Sequence, residues 1–327
     1  MRIIAHSLIL LLAVSGCLAG VGPADQQLLI SASDLVNIRS ADAKPFQLEA
    51  DIRLQFTVPQ DGHFTWKWAA KDLWVQEIQM GDYSEIRIRK TDNLYINRNA
   101  PFTPLQVIQL QDLVNVFSAD ADSEIKKVKH QAVGGIESEC MEVRPRSGRP
   151  TSHAKTEVCI NRATKDVLSE DTRDGAEYRR KEFTDYASFR EHRYPGQLKL
   201  LVNGSAAVKV WVTSLQNASF EEGTFAPPPG SIVRRQCEHM SLPKPVKTPD
   251  PAYPRSAAQK RIGGTVTVAL TVLPDGSVDD VHLVGSASRE MDEITQQTVK
   301  MWRFKPAMCG NEPVAEDIHV QVNFRTR

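Results

Sequence analysis

The stretch GGTVTVALTVLPDGSVDDVHLVGSAS, residues 263–288, decides the fold of the C-terminal quarter of the chain. Val266, Val268, Leu270 and Val272 alternate with Thr265, Thr267, Ala269 and Thr271, which predicts a strand with one apolar face. Pro274 to Ser277 (PDGS) turns the chain into a second strand through Val281 and Leu283. Ser288 then caps a helix with Glu290, Asp292 and Glu293 in its first turn and Lys300 and Arg303 in its last, which suits the helix dipole. Its apolar stripe is Met291, Ile294, Thr298 and Trp302, and Pro306 ends it before Cys309 and Gly310. One helix over so few strands makes a small core. Trp302 and Phe304 supply apolar area that such a core otherwise lacks.

A short helix at Pro254 to Arg261 precedes this unit, and a last strand follows it, giving the order αββαβ. In that last strand Ile318, Val320, Val322 and Phe324 alternate with His319, Gln321 and Asn323. The helical crossover puts the first strand in the middle and the last one at an edge. Parity then turns the apolar set toward the helix and His319, Gln321 and Asn323 toward water, an edge able to accept another strand by main-chain hydrogen bonds.

Upstream, residues ~45 to 230 read as strands joined by turns. In FQLEADIRLQF (46–56), Phe46, Leu48, Ala50, Ile52, Leu54 and Phe56 share one face; QDGH (60–63) is the expected turn before Phe64, Trp66 and Trp68. Further strands follow in LWVQEIQM, YSEIRIRK, LYINR, EIKKVKHQAV, ESECMEV, TEVCI, EYRRKEFTDYASF, QLKLLV and AAVKVWVTSL. A single helix interrupts them, with Thr103 as cap, Pro104 at its first position, and Val107, Leu110, Val114 and Phe117 at helical spacing. So many hairpins around one helix predict a curved antiparallel half-barrel wrapped on that helix, making the chain α+β. Trp66, Trp68 and Trp74 on its inner face either line a cavity for an apolar ligand or are core. Between the two units, residues 231–250 carry Pro243, Pro245 and Pro249 and read as an extended, stiff linker.

Two resemblances accompany these readings. PAYP, the Ala257-Ala258 pair, residues 263–288 and WRFKPAMCGNEP make residues ~250 to 325 resemble the C-terminal domain of the TonB family. That resemblance implies a domain that meets outer-membrane transporters by strand pairing, here along Ile318, His319, Val320, Gln321, Val322, Asn323 and Phe324. Phe183, Tyr186 and Phe189, then YPGQLKLLVNG, VKVWVTSL, Phe220 and FAPPPG are similar to the lipoprotein-carrier family of LolA and LolB-like half-barrels. In that family the concave face holds an acyl chain, which would make a lipid the ligand of Trp66, Trp68 and Trp74.

The remaining features bound the function. The chain has 327 residues with 40 basic and 40 acidic side chains, enough for about two domains and without the charge bias of a nucleic-acid binder. RIIAHSLILLLAVSGC (2–17) has the layout of an export signal and falls short of the ~20 apolar residues of a membrane span. VSGC fits a lipobox with Cys17 as the acylated residue, while Ala19 fits ordinary cleavage; either outcome predicts a periplasmic protein, and in the first case Leu18 after Cys17 resembles sorted bacterial lipoproteins, which implies a lipid anchor in the outer membrane. Neither a transmembrane anchor nor a long periplasmic spacer is legible, so energy transduction is not expected. Cys140 and Cys159 sit on successive strands, and Cys237 lies just before the C-terminal unit with Cys309 in one of its loops, so these are the expected disulfides. No H-E-x-x-H, G-x-S-x-G, P-loop or C-x2-C spacing is present, and neither catalysis, a metal nor a cofactor is expected.

Overall fold

Alternation of apolar and polar side chains recurs through residues 46–217, and the chain forms one antiparallel sheet from it. The structure, a computed structural model, describes residues 21–325 apart from 41–42, 120–122, 145–154, 175–176 and 238–239. The export-signal segment, Cys17 and the alternative cleavage at Ala19 lie outside the described residues.

The described residues open with helix α1 (Pro23–Val36), then run β1 (Phe46–Leu54), β2 (Gln60–Ala70), β3 (Leu73–Met80), β4 (Tyr83–Lys90) and β5 (Asn93–Arg98). Helix α2 (Leu105–Leu113) follows, then β6 (Glu124–Val133), β7 (Ile136–Arg144), β8 (Lys155–Asn161) and β9 (Val167–Asp174). β10 (Glu177–Phe189), β11 (His192–Val202), β12 (Ser205–Asn217) and β13 (Ile232–Arg235) complete the sheet. Its order among the described residues is β13-β5-β4-β3-β2-β1-β12-β11-β10-β9-β8-β7-β6, and its two outermost strands do not pair, so no barrel closes.

Two helices, not one, fill the interior. Leu29, Ala32 and Val36 of α1 and Val107, Leu110 and Leu113 of α2 are buried with Phe46, Phe64, Trp66 and Trp68 in a single core. Phe46 stacks on Trp68 with ring centroids 5.4 Å apart and meets Trp66 edge-on at 5.6 Å. Helix α1 escapes a reading tuned to strands because QQLLISASDLV mixes short polar residues among its apolar ones. Strand β9, VLSEDTRD, escapes for a related reason: after Leu168 it carries no apolar alternation.

Several local expectations shift. Gln60 to His63 are not a turn but the start of β2, where Gly62 lies so close to β3 that a Cβ would stand 2.4 Å from the Gln79 carbonyl. Thr103 does not cap α2: its hydroxyl donates to the buried Glu85 carboxylate and accepts from Arg87 Nη2 at 3.0 Å. Val114 and Phe117 lie beyond the helix end yet remain in the core.

The Pro-rich stretch is not a free spacer. β13 pairs with β5, β14 (Met240–Ser241) pairs with a later strand at Cys309 and Met308, and β15 (Lys244–Lys247) pairs with Arg303–Lys305. After helix α3 (Arg255–Gln259) come β16 (Gly264–Val272) and β17 (Val278–Gly285), then helix α4 (Arg289–Val299). β18 (Arg303–Lys305), β19 (Ala307–Cys309), β20 (Glu312–Val314) and β21 (Glu316–Phe324) end the chain. Ser288 Oγ accepts from Met291 N at 3.4 Å, and the buried Asp292 carboxylate accepts from Ala287 N at 3.0 Å, so both close the start of α4. Helix α4 stops at Val299, well before Pro306; Arg303 and Phe304 belong to β18, so they do not sit in its last turn. The stop has a cause in packing. Phe304 N donates to Gly276 O at 2.9 Å, pulling the chain out of the helix and across the PDGS turn.

Candidate functional site

The edge read from the sequence is built by β21, the outer strand of a three-stranded sheet in the order β17-β16-β21. Its inner side pairs with β16 from Gly264 opposite Phe324 to Val272 opposite Glu316. No strand among the described residues pairs with its outer side. Phe324 is buried, and Ile318, Val320 and Val322 pack against the core of Val266, Val268, Leu270, Met291 and Trp302.

The other face of β21 divides in two. Gln321 and Asn323 are exposed, whereas His319 is half-buried instead of facing water. Its ring reaches the main chain of Thr103 in the N-terminal module, and burial holds its pKa below the usual value. Asp317, two residues earlier, accepts from Arg234 of β13 at 2.7 Å and from Thr271 Oγ1 at 2.8 Å. The structure thus brings Gln321 to Phe324 to an open edge and takes the start of the strand into a junction between modules.

Beside the open half runs a groove of about 910 Å³. One wall is Gln321 to Arg325; the other is Thr248, Asp250, Pro251 and Tyr253, with Arg261 and Trp302 contributing. Trp302 Nε1 donates to the Pro249 carbonyl at 3.0 Å, and the Tyr253 ring meets Phe324 edge-on at 5.7 Å, so side chains of the small module hold the far wall. Sequence reading missed Arg234 and Thr271. The signal was there in IVRR, a β-branched pair ahead of two cations.

Both disulfides join segments that the sheets bring together. Cys140 and Cys159 are direct cross-strand neighbours on β7 and β8 and are bonded. Cys237, just after β13, is bonded to Cys309 on β19, a covalent tie between the large sheet and the small module.

The tryptophans part company. Trp66 and Trp68 are buried at 2% and 3% exposure and border a cavity of about 210 Å³ near Val36 to Arg39 and Val114 to Ser118. Trp74, on β3, packs against the core from a partly buried position and does not border that cavity.

Residues 249–326 match the family model for the Gram-negative bacterial TonB protein C-terminal. Within this TonB-type module the chain is 38% identical over 73 residues to Protein TonB of Pseudomonas aeruginosa, covering 22% of this chain and 21% of that protein. It is 32% identical over 76 residues to Protein TonB of Vibrio cholerae, covering 23% of this chain and 31% of that protein. The chain therefore spans less than a third of the TonB proteins it matches. A solved LolA superfamily protein from Nitrosomonas europaea is similar at 10% identity and a TM-score of 0.44, covering 62% of this chain and 96% of that one. Among the described residues no helix is long and apolar enough to cross a membrane.

Proposed function

We propose that the TonB-type module captures an extended segment of an outer-membrane transporter, or of another envelope protein, by adding it as a strand to β21. The observation that carries this reading is the outer side of β21 at Gln321 to Phe324, which is unpaired among the described residues and opens on a groove of about 910 Å³. Main-chain donors and acceptors supply the attraction, and exposed Gln321 and Asn323 keep the empty edge soluble. The family match supports an exported cell-envelope protein linked to transport at the outer membrane.

Replacing Gln321 with Pro removes one main-chain donor at the start of the open stretch. Outer-membrane proteins from the native host, captured on immobilised wild-type and Gln321→Pro protein of equal thermal stability, are compared by mass spectrometry. Loss of the wild-type partner from the folded variant is the expected result; retention of the same partner at the same yield overturns strand addition here.

The carrier reading, with an apolar ligand against Trp66, Trp68 and Trp74, has less support, because α1 and α2 occupy the interior and the cavity beside Trp66 and Trp68 holds about 210 Å³. Native mass spectrometry of protein purified from its own host reads it directly. A co-purifying lipid in stoichiometric amount would favour that role.

A further inference from the structure

The back of the small sheet does not face water. Thr267, Ala269 and Thr271 of β16 are buried, and Phe102 of the N-terminal module lies 5.9 Å, centroid to centroid, from the His282 ring of β17. Between the modules is a cavity of about 170 Å³. Four cations border it from the N-terminal side: Arg87 on β4, Arg98 on β5, and Arg234 and Arg235 on β13. The facing groups are Asp280 and His282 on β17 and Glu316, Asp317 and His319 on β21.

Most of these charges have partners. Arg87 Nε is held by Glu85 at 2.8 Å, Arg98 by the carbonyls of Ala100 and Pro101, Arg234 by Asp317, and His282 by Asp280 at 2.7 Å. Arg235 lies 3.5 Å from Glu312 and 3.6 Å from Asp92. Three groups are left over. Arg98 Nη1 and His319 Nε2 are buried with no hydrogen-bond partner among the described residues, and the Glu316 carboxyl makes no ion pair among them. A junction this rich in ionisable groups, with one guanidinium nitrogen and one imidazole nitrogen buried without a partner beside an unpaired acid, is unusual for a purely structural contact.

We propose that the junction is a proton-controlled latch: protonated Glu316 lets the TonB-type module dock on β4, β5 and β13, and loss of that proton to solvent frees the module to swing about its Cys237–Cys309 tether. Burial, then the neighbouring Asp317, pushes the Glu316 carboxyl up to about 7, against the pull of Arg234 and Arg87. A carboxyl raised from its ordinary 4.5 stabilises the docked arrangement fully below 4.5 and gives that stabilisation up as pH rises through about 7. His319 works in the opposite sense. Burial lowers its pKa, so its contribution is present above 6.5 and is lost as the pH falls through its lowered value. Docking is therefore strongest on the acid side of neutrality and weakens in both directions. From the Glu316 value alone, linkage gives a docking constant about tenfold smaller at pH 8 than at pH 6.

Hydrogen exchange of the full-length protein, with its disulfides intact, reads this without any partner, so its outcome is independent of strand capture by β21. The peptides to follow cover 99–104 and 314–320, at pH 6 and pH 8, with rates corrected for the intrinsic pH dependence of exchange. Local opening about tenfold more populated at pH 8 is expected, with the difference abolished in Glu316→Gln. Glu316→Ala, which also removes the titrating group, guards against a defect peculiar to the amide. Equal corrected protection at both pH values in the wild type, or an unchanged pH dependence in both variants, overturns the latch.

Discussion

Arg234 and Asp317 join the two modules through one oxygen: the guanidinium donates from Nε at 3.1 Å and from Nη2 at 2.7 Å to the same Oδ1, which also accepts from Thr271 Oγ1. Arg234 is 17% exposed and Asp317 36%, so solvent screens the pair only in part. A double-mutant cycle with Arg234→Met and Asp317→Asn should return a coupling of about 1 kcal/mol in chemical denaturation. A coupling indistinguishable from zero would reduce the pair to a surface contact.

Gly276 in the PDGS turn has φ +81°, and a Cβ there would stand 2.1 Å from the Phe304 carbonyl. Gly276→Ala therefore combines left-handed strain, about 1 to 2 kcal/mol, with a backbone clash that the turn must relieve by moving β18. The TonB-type module should unfold at a lower temperature while the N-terminal module keeps its transition. Calorimetry resolving the two transitions checks this.

The two disulfides close loops of different size, 19 residues for Cys140–Cys159 and 72 for Cys237–Cys309. On the chain-entropy account their removal costs about 3 and about 4 kcal/mol respectively. Paired Cys→Ala variants, followed by urea unfolding, should rank in that order. The reverse ranking would mean that something other than loop closure dominates.

Phe46 has no exposed surface and sits between Trp66 and Trp68, so Phe46→Ala leaves a cavity bounded by two large rings. A loss of about 3 to 5 kcal/mol is expected, with tryptophan emission shifting before global unfolding. A loss under 1 kcal/mol would require the rings to have collapsed onto each other.

Legibility followed periodicity. Strands such as β1 and β16 bury one face and expose or dock the other, so their alternation was readable, as was the crossover that puts β16 between β17 and β21. Helix α1 was not, since Ser31, Ala32 and Ser33 blur its stripe; nor was the end of α4, which is set by a hydrogen bond from Phe304 to a turn some thirty residues earlier. At the edge strand, parity correctly gave Gln321 and Asn323 to solvent. It failed for His319 because its neighbour is another module, and alternation within a strand carries no information about what lies across the face.

Strand β13 also fixes where this chain can be divided. A cut at Gly230, where the proline run invites one, would strip β13 from β5 and leave the main-chain groups of Asn93 to Ile96 without their partners Ile232 to Arg235. A fragment so made would carry a bare sheet margin able to recruit copies of itself, and would tend to precipitate for reasons unrelated to its core. Extending the fragment through Gln236, whose side chain accepts from Arg89 and whose N–H donates to Asp92 O, would carry that margin's own seal along with it.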